Sequence, residues 1–479
     1  MNTIKSLEKL ISNLEYSVLS GNIKDVSINS LCYNSEIANK NDLFICLNGS
    51  RFDSHSKISE LICKGVKVLV VEDGNEYVKK SQFDDNIVVL SVKNTRIALA
   101  VISNNYFDNP SKKLKIVGVT GTKGKTTTTF MIKSILSCAG FKVGMIGTVG
   151  IFYGDEHIYT DNTTPESYIL HEYFAKMLDM GIEYVVMEVS SQSLKYHRLY
   201  GFNFEYAVWT NIFPEHIGEH EHTDYTDYLN SKLKIFTMCK NAIVNQDTAN
   251  YNEVINACKN NNVKVYEKKE RIRFDLQIPG EYNIDNANLA YTFGKAVGID
   301  DSTIRTALYE TIVPGRCETV FKNDEFKVIV DFSYENNGAL KFLYTIKEEN
   351  PKRIVTVYGC GGNRSKDRRY GMGEVTGKLA DFVILTADNS RFEKTIDIIA
   401  DIETTLTKYK RKDDLDNGYV IIEDRYDAIK YAIKNHKNGD VICVMGKGHE
   451  PLMEMNGKKI EFLDRKVVLD IISELKYNV

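Results

Sequence analysis

The sequence predicts an α/β protein organised on a doubly wound parallel sheet that carries a phosphate-binding loop. Three observations predict it. Short apolar runs alternate with amphipathic helical patterns along most of the 479 residues. Polar clusters recur just past the apolar runs, where open parallel sheets bind ligands. The stretch Lys115-Ile-Val-Gly-Val-Thr-Gly-Thr-Lys-Gly-Lys-Thr-Thr-Thr-Thr129 joins strand to helix through a glycine turn.

Bulk composition narrows the class. With 43% hydrophobic and 26% charged residues, the chain has core enough for about two to four domains. A net charge of −4 gives no bulk attraction to nucleic acid or to an anionic membrane. Nine cysteines without C-x-x-C pairs fit reduced thiols in the cytoplasm better than disulfides or zinc. The first twenty residues space apolar side chains as a helix does and lack the apolar core of a signal peptide. No apolar run is long enough for a membrane span. A cytoplasmic monomer is the expectation.

Residues 1–112 form a first unit, with strands at Asp42–Leu47 and Val66–Val71 and a helix near Lys57–Lys64. Polar Asp108-Asn-Pro-Ser-Lys-Lys-Leu114 closes it. Residues 113–314 come next. Ile116–Val119 reads as a buried strand. Gly121, Thr122, Lys123 and Gly124 make the turn, and Met131, Ile132, Ile135, Leu136 and Ala139 line one helix face that Gly140 can end. Glycines let backbone N–H groups approach oxyanions at a helix N-terminus. Lys125 would then reach the β- and γ-phosphates, and the hydroxyl of Thr126, followed by Thr127, would ligate Mg²⁺. Val119 stands where the common phosphate-loop pattern has its first glycine. Further strands are expected at Val143–Ile146, Tyr184–Val189, Tyr206–Asn211 and Ala242–Val244. They place Glu188, Ser190 and Gln192 after one strand, and Thr210, Asn211, Glu215 and His216 after another. A carboxylate, hydroxyls and an imidazole beside a phosphate loop suit Mg²⁺ and phosphoryl chemistry. Each also has a plain alternative: a solvated strand-end charge for Glu188, a polar loop with His220 and His222 for His216.

Tyr228-Leu-Asn-Ser-Lys-Leu-Lys-Ile-Phe236 reads as a helix with Lys232 and Lys234 on different faces. By residue type alone Lys232 is a solvated lysine. Gly280–Ala287 opens a helix running to Val297. Asn283 and Asn286 share a face there and can contact a base or cap the helix. Pro314-Gly-Arg316 marks a linker. Residues 315–479 repeat the α/β alternation, with strands at Lys327–Asp331, Arg353–Tyr358, Phe382–Thr386, Tyr419–Ile422 and Val441–Met445. Polar clusters follow them at Asp331, Gly359–Arg364, Asp388–Arg391 and Gly446–Glu450.

Taken together, these motifs resemble the Mur ligase family, and within it the branch that adds the third residue of the peptidoglycan stem peptide. The resemblance rests on Thr120–Thr126, Thr163-Thr-Pro-Glu166, Met187-Glu-Val-Ser-Ser191, Tyr228-x-x-x-Lys232-x-x-x-Phe236, Pro314-Gly-Arg316, Gly359-Cys-Gly-Gly362, Asp388-Asn-Ser-Arg391 and Gly446-Lys-Gly-His-Glu450, in family order. It implies three domains, the last Rossmann-like, and an ATP-dependent amide ligation through an acyl phosphate. Lys125, Thr126, Glu188, His216 and Lys232 resemble the family's phosphate and Mg²⁺ residues, with Lys232 in the place of a carbamylated lysine. Asn283, Asn286, Arg316 and Asp331 look like ATP contacts. Ser35, Thr163, Thr164, Ser190 and Arg198 look like contacts to UDP-N-acetylmuramoyl-dipeptide, with the Gly49–His55 segment in the uridine unit. Arg364, Asp388, Asn389, Arg391, Gly446 and Glu450 match the pocket for the incoming amino acid, diaminopimelate or lysine. The sequence departs from the family at Asn34-Ser-Glu36, Asp53-Ser-His55, Glu215, Asp331-Phe-Ser-Tyr334 and Ser390. A related acceptor of polyglutamate or cyanophycin type, or a regulator that binds nucleotide without chemistry, are the alternatives.

Overall fold

Lys115–Thr120 lies inside an eight-stranded sheet in the computed structural model, which describes residues 4–49, 52–218, 221–268 and 270–477. Six strands run parallel, in the order Val143–Gly147, Tyr184–Glu188, Lys115–Thr120, Phe204–Trp209, Cys239–Val244 and Lys264–Glu267. Glu188 pairs with Val119 and Trp209 with Thr120, so the loops after the middle three strands emerge along one edge. The central strands carry apolar runs, Ile116–Val119 and Tyr184–Met187, because both of their faces are covered. Val117, Val119, Val185, Met187, Ala207 and Val208 are all buried. Helix Lys125–Cys138 packs on the strands Val143–Gly147, Tyr184–Glu188 and Lys115–Thr120 and buries Met131, Ile132, Ile135 and Leu136, and Gly140 at φ +88° follows its end. Across the sheet, Leu170, Phe174 and Met177 of helix Ser167–Asp179 join Ile116, Ile146 and Met187 in one core.

Two elements depart from the sequence reading. The sheet is not wholly parallel: Gly150–Tyr153 and Glu156–Ile158 extend its edge as an antiparallel hairpin. The signal was the pair Gly154-Asp155, a tight-turn dipeptide whose glycine adopts φ +56°. The N-terminal segment is not one helix either. Lys5–Ser6 is a strand, Leu7–Leu10 a single helical turn capped by Ser6, and Ser17–Ser20 an edge strand antiparallel to Val88–Val92. Leu7, Leu10 and Ile11 are the buried apolar residues here, and Asn13 at φ +65° turns the chain out of the helix. Val88–Val92, Val68–Glu72, Asp42–Ile45 and Ser30–Cys32 complete a five-stranded sheet.

Packing divides the chain into two compact units, residues 1–272 with 286–307, and residues 273–285 with 308–479. Both sheets above belong to the first. The second holds a seven-stranded sheet whose core strands Phe326–Asp331, Asp440–Met445, Arg353–Tyr358, Phe382–Leu385 and Gly418–Ile421 are parallel, with Glu318–Lys322 antiparallel at one edge. Asp331, Gly359, Asp388 and Gly446 therefore share the carboxyl end of one sheet. Among the described residues no helix is long and apolar enough to cross a membrane.

One core residue makes stability depend on pH. His171 is buried between Phe174 and Phe202, and neither ring nitrogen has a hydrogen-bond partner among the described residues. Burial pushes its imidazole down to about 3. The unfolded chain takes up this proton near the ordinary value of about 6.5, and the folded chain does not. Stability is thus lost as pH falls from about 6.5 towards 3, by up to about 1.4 kcal/mol per pH unit. A His171→Met variant is expected to show a thermal midpoint that declines less between pH 7 and pH 4 than that of the parent protein. Parallel declines would remove His171 as the cause.

Candidate active site

The loop after Lys115–Thr120 has room for no side chain at its two glycines. Gly121 takes φ +148°, and a Cβ there would stand 1.9 Å from Thr210 Oγ1. Gly124 takes φ +83°, and its Cβ would stand 2.3 Å from Asn286 Oδ1. Asn211 fixes the turn between them: its carbonyl accepts from Thr122 N at 2.9 Å and its Oδ1 from Lys123 N at 3.0 Å. Thr210 Oγ1 donates to the Lys123 carbonyl at 2.7 Å. Lys123 Nζ pairs with Glu215 at 2.6 Å. Lys125 Nζ folds back and donates to the carbonyls of Gly121 and Thr122, each at 3.0 Å. Thr126 and Thr127 sit buried in the first helical turn.

Beside this loop lies a buried carboxylate. Glu188, 2% exposed, accepts from Thr126 Oγ1 at 3.0 Å, Thr148 N at 2.8 Å and Thr148 Oγ1 at 3.1 Å. No lysine, arginine or histidine among the described residues is within ion-pair reach of it. A buried carboxylate held only by neutral donors is costly unless a cation completes it. Its oxygens and the Thr126 hydroxyl are the hard donors that Mg²⁺ takes. Thr148 was not singled out from the sequence. It follows the strand Val143–Gly147, so the rule that selected Glu188 also points to it.

Lys232 is 1% exposed, on the last turn of helix Tyr225–Leu233. Its Nζ donates to the Gly121 carbonyl at 2.8 Å and stands 4.9 Å from the centre of the Tyr228 ring. Burial, helped by the nearby Lys125 charge, holds its amine well below the usual lysine range. The solvated lysine read from residue type alone is thus a buried one. Tyr228 also touches the loop, its hydroxyl 3.0 Å from Thr122 Oγ1. His216 takes φ +58° and is exposed, its Nδ1 3.4 Å from Glu221 Oε1 and its Nε2 3.9 Å from Glu215 Oε2. The structure thus joins Thr126 to Glu188 directly, while His216 and Lys232 make other contacts. Among the described residues no cluster of three or more His, Cys, Asp or Glu side chains is placed to hold a metal.

Thr163, Thr164, Ser190 and Arg198 do come together. Thr163 Oγ1 is 3.0 Å from Thr148 Oγ1, and Thr164 Oγ1 donates to the Glu188 carbonyl at 2.9 Å and accepts from Ser190 N at 3.0 Å. Arg198 Nη1 donates to the Thr164 carbonyl at 2.9 Å, and its Nε to Glu166 at 2.9 Å. Ser35 stands apart, past the strand Ser30–Cys32, its carbonyl accepting from Lys64 Nζ at 2.7 Å. No hydrogen bond among the described residues joins it to the others. His55 is buried against Asp53 at 2.5 Å; Ser50 and Arg51 of the same segment, and His220, lie outside the described residues.

In the second unit, Asn283 Nδ2 donates to the Pro279 carbonyl at 2.7 Å. Asp331 accepts from Cys317 N at 2.6 Å and Ser333 N at 2.8 Å, and the Arg316 guanidinium lies 4.5 Å from the Phe332 ring centre. Burial raises the Asp331 carboxyl above its ordinary range despite these donors.

The six residues matched to an amino-acid pocket follow strands at the carboxyl end of the seven-stranded sheet. Asn389 Nδ2 donates to Glu450 Oε2 at 2.8 Å. Burial raises the Glu450 carboxyl, against the pull of Lys447. Gly446 at φ +108° leaves space for Asp388 Oδ2, which would stand 2.6 Å from a Cβ there. Arg391 Nη1 donates to the Gly362 carbonyl at 2.6 Å, and its Nε is 3.5 Å from Glu454 Oε2. Arg364 and Arg391 both border Gly361.

Comparison with known proteins places this geometry. Residues 119–271 match the Mur ligase middle domain, and residues 315–448 the Mur ligase, glutamate ligase domain. A UDP-N-acetylmuramoyl-L-alanyl-D-glutamate--2,6-diaminopimelate ligase of Clostridium tetani is 39% identical, covering 98% of this chain and 99% of the relative. A protein of the same name from Clostridium perfringens is 36% identical, covering 97% of this chain and 99% of the relative. A solved ligase of that name superposes with a TM-score of 0.64 at 21% identity, covering 99% of this chain and 100% of its own. MurF from Acinetobacter baumannii superposes at 0.62 with 18% identity, covering 92% and 95%. With a phosphate loop, a buried carboxylate beside it and near-complete coverage by these relatives, the chain belongs to the Mur ligase family of ATP-dependent ligases.

Proposed function

We propose that this chain joins diaminopimelate to UDP-N-acetylmuramoyl-L-alanyl-D-glutamate in peptidoglycan synthesis, forming ADP and phosphate. The observation that carries the reading is the buried Glu188 carboxylate bonded to Thr126 at the phosphate loop. The names of the relatives supply the substrates. Functionally, residues 1–112 take the uridine end, 113–314 take ATP and 315–479 take the amino acid, in a cytoplasmic monomer. Lys125 and the loop N–H groups hold the β- and γ-phosphates, with Asn283, Asn286, Arg316 and Asp331 assigned to the rest of the nucleotide. Ser35, Thr163, Thr164, Ser190 and Arg198 take the muramoyl dipeptide. The substrate carboxylate attacks the γ-phosphorus, and the bond to the ADP oxygen breaks. The amine of the second substrate, once deprotonated, adds to the acyl carbon, and phosphate leaves. Electrostatic clamping of the transferred group is the main catalytic term.

Thr126, Glu188 and His216 would hold Mg²⁺, which supplies charge neutralisation on the phosphates. Lys232 is proposed to carry a carbamate, its neutral amine having added to CO₂ with loss of a proton. Arg391 would pair with the distal carboxylate of diaminopimelate. The test is an amino-acid panel with purified protein, ATP and the muramoyl dipeptide, read by mass spectrometry. ADP and a diaminopimelate adduct are expected only when both substrates are present. Turnover indifferent to the muramoyl dipeptide, or seen with a folate polyglutamate instead, would overturn the reading. In the same assay Arg391→Ala is expected to raise the KM for diaminopimelate at least about 10-fold, the scale of a charge-assisted hydrogen bond, without improving lysine. An unchanged KM would release Arg391 from this role.

A further inference from the structure

His222 takes no part in the chemistry above, yet it is fully buried and bonded at both ring nitrogens. Its Nδ1 stands 3.1 Å from Asp227 Oδ2 and its Nε2 2.9 Å from Ser191 Oγ. A carboxylate only accepts, so Nδ1 carries the proton and Nε2 accepts from the Ser191 hydroxyl. Lys195 Nζ and Thr223 N donate to the same Asp227 oxygen, at 2.7 and 3.2 Å. Burial would raise the Asp227 carboxyl, but these donors draw it down to about 2.

The order Ser–His–Asp is that of a nucleophilic triad, but Ser191 is only 5% exposed and its hydroxyl is engaged by the imidazole. The arrangement orients rather than attacks. At one end, Ser191 opens the short helix that Ser190 caps, and Ser190 N is bonded to Thr164. At the other, Asp227 lies in the first turn of helix Tyr225–Leu233. The same helix reaches the phosphate loop twice, through Tyr228 to Thr122 and through Lys232 to Gly121. The Tyr228 ring also packs 5.2 Å from that of His222. One imidazole therefore spans the gap between the Thr164–Ser190 wall and the helix that braces the nucleotide loop.

We propose that His222 is a positioning residue that couples the muramoyl-peptide wall of the site to its phosphate loop. The proposal rests on the ligase reading for what each wall binds. Its test uses Ser191→Ala, which removes one hydroxyl at the peptide end and leaves every loop residue in place. With the link intact in the parent protein, Ser191→Ala is expected to weaken MgATP binding about 10-fold by calorimetry, at an unchanged thermal midpoint. Asp227→Asn should do the same, and the double variant should be no worse than the weaker single, because either change breaks the same link. Unchanged nucleotide affinity in Ser191→Ala, or effects that multiply in the double variant, would overturn the coupling. Parent protein that binds MgATP but makes no muramoyl product would sink the ligase reading alone, since the link is scored on nucleotide affinity.

Discussion

Replacing Lys125 with methionine is expected to lower ATP-dependent product formation by about 10³-fold, close to 4 kcal/mol of transition-state stabilisation. The side chain keeps nearly the same length and apolar stem, so the packing of helix Lys125–Cys138 is preserved. What disappears is the Lys125 charge at the start of the helix that follows the loop. In the structure that ammonium rests on the carbonyls of Gly121 and Thr122. Those are neutral acceptors, and a triphosphate presents a far stronger one within reach of the same flexible stem. Charge develops on the transferred phosphoryl group, so the loss falls on kcat as well as on nucleotide affinity. Steady-state kinetics with a coupled ADP assay, beside a thermal melt, checks this. A methionine variant with normal turnover would remove the phosphate loop from the chemistry.

The second large effect concerns Lys232. Lys232→Ala is expected to lose about 10² to 10³-fold in rate and to regain part of it with formate or acetate. The sign follows from its surroundings. Burial, then the Lys125 charge, disfavour the ammonium, so the neutral amine is more accessible at Lys232 than at an ordinary solvated lysine. A neutral amine is the form that adds to CO₂. Protein stripped of CO₂ should accordingly lose activity and recover it with bicarbonate, an effect absent from Lys232→Ala. Linkage runs the same way: the unfolded chain binds a proton that the folded chain rejects, so this site favours folding more as pH rises towards the ordinary lysine value. A fully active alanine variant, or a parent protein indifferent to bicarbonate, would rule the carbamate out.

Much of the central sheet was legible because parallel strands buried on both faces carry continuous apolar runs, as Ile116–Val119 and Tyr184–Met187 do. The hairpin at Gly150–Ile158 was not, since half-exposed edge strands carry a weak pattern and only Gly154-Asp155 marks the turn. The single-turn helix Leu7–Leu10 escaped for a related reason: helical spacing over twenty residues does not reveal where an edge strand will claim the chain. Of the candidate site, Thr163, Thr164, Ser190 and Arg198 could be chosen by motif, and the fold does bond them together. The parts of Thr148, at a strand end, and of Tyr228, in the motif that carries Lys232, show only in the fold, because they hold Glu188 and Thr122, residues 40 and 106 positions away.

By itself the sequence determined the α/β alternation, the glycine turn and the identity of the groups at the strand ends, because backbone freedom and hydrophobic period are local properties. Only the tertiary structure decided that Lys232 is buried, that Glu188 has no cationic partner among the described residues, and that His222 bridges two helices. Those are facts of desolvation and of contacts between distant segments, and neither is written in any one stretch of chain.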